Sequence, residues 1–105
     1  MTLFAVVREP GPGWDHGRPL TEQKDWPAHA AFMNALAQAG FIVLGGPLGD
    51  GNRFLLIVDA RGEEEIRRRL ADDPWTPVGL LTVASVDPWQ ILLDRQAAVQ
   101  PRSPS

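Results

Sequence analysis

FIVLGGPLGDGNRFLLIV, residues 41–58, holds two apolar runs on either side of a breaker-rich turn. Residues 41–44 and 53–58 have strand length and are rich in Val, Ile, Leu and Phe, a composition that suits a covered pleated surface. Asp50-Gly51 between them tolerates the positive backbone angles of a tight turn. The stretch therefore predicts an antiparallel hairpin. What flanks this hairpin decides how the rest of the chain wraps it.

Upstream, residues 25–39 predict a helix. Asp25 stands at the N-cap position and Pro27 in the first turn, where its missing N–H has no intrahelical partner in any case. Gly40 follows as a left-handed cap. At helical spacing Ala28, Phe32, Ala35, Leu36 and Ala39 fall on one stripe, with His29 at its edge. Downstream, residues 62–71 predict a second helix. Three glutamates open it and three arginines close it, as the helix dipole favours. Glu63–Arg67, Glu64–Arg68 and Glu65–Arg69 stand at i,i+4. Such a charge run coats a solvated face far more often than it binds phosphate. Residues 3–7 and 80–86 add an apolar strand at each end, and residues 89–93 read as a further short strand or an arm.

The order strand–helix–strand–strand–helix–strand is the ferredoxin-like α+β pattern, a four-stranded antiparallel sheet with both helices on one face. The expected domain spans residues 1–95, and residues 96–105, ending Pro-Arg-Ser-Pro-Ser, read as a frayed tail. Strands apolar on both sides leave an uncovered face, which predicts a homodimer formed through the sheet. Residues 9–24 form a long loop whose Trp14 is expected to fold back onto the domain.

Composition narrows the chemistry. The 105 residues contain no cysteine and no tyrosine, a single lysine, and serine only at 85, 103 and 105. Thiol nucleophiles, Cys-ligated zinc and disulfides are excluded, and a G-x-S-x-G elbow is missing. A net charge of −3 argues against nucleic acid. No apolar run nears the length that spans a bilayer, and Met1-Thr2-Leu3-Phe4 lacks a basic signal region. A cytoplasmic protein without membrane partners is the expectation.

Three candidate sites follow. Gly45 to Gly51 resembles a phosphate loop only in glycine content, because it joins two strands and carries no Gly-Lys-Ser/Thr. His16 and His29 have no spacing that marks a metal site, so no metal is expected. His29 with an aspartate is the third. A helix start and partial burial both favour an uncharged ring, as a proton acceptor requires. Asp73, placed before Pro74 at the end of the second helix, is the natural partner. The competing reading is a structural histidine bonded to a backbone carbonyl.

Trp26-Pro27-Ala28-His29, Gly40 through Leu48, Leu70-Ala71-Asp72-Asp73-Pro74-Trp75 and Val86-Asp87-Pro88-Trp89 together resemble the YciI-like (YCII-related) family over residues 2–94. The resemblance implies a ferredoxin-like fold, a dimer of the α/β-barrel type, and a His–Asp pair mapping to His29 and Asp73. It places Gly46, Pro47 and Leu48 near the same cleft. Its better understood relatives, a dehydrochlorinase and more distantly muconolactone isomerase, act on small cyclic oxygenated compounds without a cofactor. On this expectation His29 moves a proton beside a carbonyl while Asp73 holds the ring. Trp14, Phe32, Leu48 and Trp75 would wall the pocket, and Arg8 would meet a substrate carboxylate or enolate oxygen. Two other functions fit the same chain: a non-catalytic binding or accessory dimer, and a cofactor-independent oxygenase, the latter by fold analogy alone.

Overall fold

A computed structural model of the chain describes residues 2–95. It contains β1 (Thr2–Pro10), α1 (Trp26–Gln38), β2 (Ile42–Leu48), β3 (Arg53–Ala60), α2 (Glu63–Leu70) and β4 (Leu81–Pro88), with a single 3-10 turn at Leu20–Glu22. The strands lie in the order β2-β3-β1-β4, and every neighbouring pair is antiparallel. This is the expected ferredoxin-like α+β arrangement. The frayed tail expected over residues 96–105 lies outside the described residues.

Alternation along the central strands builds the core. Phe4, Val6 and Arg8 of β1 are buried, as are Phe54, Leu56, Val58 and Ala60 of β3, because period-2 geometry sends them to one face. Leu36 of α1 and Ile66 and Leu70 of α2 pack with Phe4, Val6, Leu56 and Val58 in one cluster, so both helices cover that face. The helix stripe differs from expectation. Ala28, Ala35 and Ala39 are exposed, while His29 and Leu36 are buried and Phe32 and Met33 half-buried. Alanine contributes little area, and the larger side chains at 29, 32, 33 and 36 set the rotation of α1.

Two local features differ from the expected boundaries for physical reasons. β2 extends through Gly45, Gly46 and Pro47 to Leu48; it is an edge strand, where a proline without an N–H is tolerated. Its register skips Val43, since Ile42 faces Val58 and Leu44 faces Ile57, and such a bulge re-aims the side chains around it. At the end of α1, Phe41 N–H donates to Leu36 O and Gly40 N–H to Ala37 O, both at 3.0 Å. With Gly40 at φ 82°, this is a Schellman motif. Asp25 occupies the N-cap position at φ 60° and its side chain makes no capping bond. Side-chain caps need an extended backbone there, so the entry into α1 is made by the main chain.

The long loop is strapped to the segment leading into β4. Gly11 N–H donates to Leu80 O at 3.0 Å and Gly13 N–H to Gly79 O at 2.9 Å. A Cβ on Gly11 would fall 2.2 Å from the Gly79 carbonyl oxygen, so only glycine permits this approach. Of the expected i,i+4 pairs on α2, Glu63–Arg67 closes at 2.7 Å. Glu65 instead accepts from the Arg61 N–H, and Arg69 lies over the Phe41 ring. Residues 89–93 form no strand, although Trp89 N–H still donates to Leu3 O at 2.8 Å.

Candidate functional site

The turn after α2 aims one carboxylate. Asp73 N–H donates to Leu70 O at 3.1 Å and Thr76 N–H to Asp73 O at 2.9 Å, while Trp75 N–H donates to Asp73 Oδ1 at 2.9 Å. That last bond is an Asx turn, in which an aspartate binds its own backbone two residues on. It gives the side chain its first anchor. Trp75 then ties this turn to the start of α1. Its indole N–H donates to Lys24 O at 2.6 Å, and its ring stacks on His29 at 3.8 Å between centroids, 4° from parallel.

His29 and Asp73 meet in consequence. His29 Nδ1 lies 2.9 Å from both Asp73 oxygens. An ionised carboxylate only accepts, so Nδ1 carries the proton and donates. The proton-accepting nitrogen of the neutral ring is then Nε2, which makes no hydrogen bond among the described residues. Asp73 is 0% exposed and His29 7%, a ring more deeply set than the half-buried one expected. Arg8 completes the group, with Nη1 2.7 Å from Asp73 Oδ2 and Nη2 3.2 Å from Thr76 Oγ1.

Burial alone would push the Asp73 carboxyl up. The hydrogen bonds donated by His29, by the Trp75 N–H and by Arg8, together with attraction to His29, offset that and hold it below the ordinary 3.8. A carboxylate with a lowered native pKa stabilises the fold fully above its unfolded value. That stability is lost as pH falls through the lowered value.

A cavity of about 300 Å³ opens beside His29, between α1 and the β2–β3 side of the sheet. Its wall is mainly apolar, with Trp26 and Met33 of α1, Phe54 and Leu56 of β3, and Leu20 of the long loop. Asn34 is the polar side chain it adds to Arg8 and His29. Of the residues expected here, His29, Arg8, Gly46 and Pro47 line the cavity. Four others do not. Trp14 packs 5.8 Å from the rings of Phe54 and Trp75, and Trp75 is sealed behind His29 at 0% exposure. Phe32 joins the main core, and Leu48 lines a groove on the outer sheet face with Leu55, Ile57 and Trp89. The contributions of Trp26 and Met33 were readable in principle, since they stand at i−3 and i+4 from His29 on one helix, whereas Asn34 at i+5 lies off that face. Those of Val43 and Leu44 depend on the β2 bulge. No group of three His, Cys, Asp or Glu able to hold a metal ion occurs among the described residues, and none of their helices is long and apolar enough to cross a membrane.

No protein-family model matches the chain, and no curated protein matches it. Among solved structures it is similar to the 5-chloro-2-hydroxyhydroquinone dehydrochlorinase TftG from Burkholderia phenoliruptrix AC1100, in complex with 2,5-dihydroxybenzoquinone. The two share 25% sequence identity at a TM-score of 0.57, over 90% of this chain and 97% of that one. This likeness fits the YciI-like resemblance carried by the sequence motifs.

Proposed function

We propose that the protein is a cofactor-independent enzyme that abstracts a proton from a small oxygenated cyclic compound, using His29 as base and Asp73 to orient it. The observation that carries this reading is the His29–Asp73 contact at 2.9 Å beside an apolar cavity. It leaves Nε2 as the acceptor, the division of labour of a His–Asp pair in base catalysis. A cavity of ~150 Å³ admits benzene, so the volume here suits one ring with its substituents. The similarity to a dehydrochlorinase adds weight to a halogenated or hydroxylated ring.

In the step proposed, Nε2 takes a proton from carbon next to a carbonyl, and the C–H electron pair moves into the ring. His29 then returns the proton elsewhere, giving isomerisation, or the pair expels a halide as the C–X bond breaks, giving elimination, and Nε2 passes its proton to solvent. Asn34 offers an amide to a substrate oxygen. The test incubates the wild-type protein with chlorinated hydroxyhydroquinones and cyclic enol-lactones in D2O. Chloride release or carbon-bound deuterium is expected. Calorimetric binding with neither product would overturn the enzyme reading in favour of a binding module, and oxygen consumption would favour an oxygenase.

The reading includes a cytoplasmic homodimer. Val43 is 51% and Leu44 67% exposed at the cavity rim, and Leu93 is 83% exposed beyond β4, surface that a second copy would cover. Sedimentation equilibrium is expected to give twice the chain mass, and a monomer at micromolar concentration would reject it.

A further inference from the structure

From the sequence, Arg8 is expected to meet a substrate oxygen. Its surroundings give it another task. Arg8 is 1% exposed, and its Nε is buried without any hydrogen-bond partner. Nη1 is committed to Asp73 and Nη2 to Thr76. The Thr76 hydroxyl already donates to Leu70 O at 2.7 Å, so toward Arg8 it can only accept. At 1% exposure, with both terminal nitrogens bonded within the protein, the guanidinium is poorly placed to meet a substrate oxygen, although its buried Nε keeps an unpaired N–H.

Asp73, for its part, is surrounded by donors. Arg8 Nη1 reaches it from β1, His29 Nδ1 from α1 and the Trp75 N–H from its own turn. Arg8 and the Trp75 N–H can only donate, and His29 donates as well in the tautomer that carries its proton on Nδ1. We propose that Arg8 is a positioning residue, which locks the Asp73 carboxylate in its ionised form and orientation so that His29 is held with Nε2 toward the cavity. This deepens the His29–Asp73 reading and rests on it. With His29 neutral the three side chains sum to no net charge. When Nε2 takes a proton the sum is one positive charge, which Arg8 opposes. His29 is thereby a relay that hands its proton on, and Asp73 never competes for it. The β-bulge that begins beside Arg8, where Val7 faces Ser85 and Arg8 faces Val83, is the kind of irregularity that re-aims a side chain next to a site.

The experiment compares Arg8→Met, Arg8→Lys and Thr76→Val with the wild type. The 13C shift of the Asp73 carboxyl is followed against pH, and kcat and KM are measured separately on whichever substrate the wild type turns over. In the wild type Asp73 stays ionised through the range where ordinary carboxyls titrate; in Arg8→Met its titration moves up. kcat falls roughly 10–100-fold in Arg8→Met, the scale of a misplaced catalytic group, with KM nearly constant. Arg8→Lys keeps the charge and recovers most of the wild-type titration. Thr76→Val, which frees one end of the guanidinium, lowers kcat several-fold and serves as the test should Arg8→Met not fold. A rise in KM at constant kcat would overturn the proposal and return Arg8 to substrate binding. So would an Asp73 titration that ignores the loss of Arg8, or a Thr76→Val variant with wild-type kcat. The carboxyl titration needs no turnover, so it judges Arg8 even if His29 proves not to be a base.

Discussion

Replacing His29 with glutamine should remove turnover by about 10²–10⁴-fold, the usual worth of a positioned general base, and leave a folded protein. Glutamine is chosen because its amide can still donate toward Asp73, replacing the Nδ1 bond at 2.9 Å. Arg8 and the Trp75 N–H continue to hold the carboxylate, so no charge is stranded. What glutamine lacks is a nitrogen that accepts and returns a proton at neutral pH. Binding of the substrate, or of an unreactive analogue, should change far less than kcat, since the wall is supplied by Trp26, Met33, Phe54 and Leu56. The measurement is deuterium incorporation or halide release alongside a thermal melt. A His29→Gln protein as active as the wild type would eliminate the base assignment.

The second large effect concerns stability. Asp73→Ala leaves the Arg8 guanidinium at 1% exposure without its anion. Breaking a buried pair from one side costs about 3–5 kcal/mol, a large part of the 5–15 kcal/mol that holds a typical domain together. A drop in Tm on the order of 20 °C follows for a chain of this size. The double variant Arg8→Met, Asp73→Ala should recover much of that loss, because neither charge then remains buried and the two changes are not additive. The cost also depends on pH in a defined direction. Asp73 has a lowered native pKa, so its contribution is complete above the ordinary carboxyl range. The gap between wild type and Asp73→Ala should therefore persist at neutral pH and close as pH falls below 3.8 through the lowered value. Urea denaturation across that range measures it, and a gap that widened on acidification would contradict the assignment.

The parts of the fold that are local were legible. Asp50-Gly51, Gly40 and the charge order of α2 each act within a few residues, and the hairpin, the Schellman cap and the second helix follow from them. The face of α1 was harder to read, because alanines counted as apolar dominate the pattern but bury little area. The bulge at Val43 breaks the period-2 rule and so hides which β2 side chains reach the cavity. Arg8 left a signal that could have been followed. It continues the inward register of Phe4 and Val6, and a charge on an inward position needs a buried counter-ion. The approach of Asp73 to His29 spans 44 positions. No local rule predicts it, although the Asx turn at Asp73-Pro74-Trp75 explains how the carboxylate is aimed.

The parallel contact between Trp75 and His29 also makes the molecule its own optical gauge. An indole emits less when a cationic imidazole lies flat against it, so protonation of His29 in the proposed step should dim a chromophore already in place. The chain has four tryptophans, so in a variant that keeps Trp75 alone, emission recorded during a reaction would follow the travelling proton with no label attached.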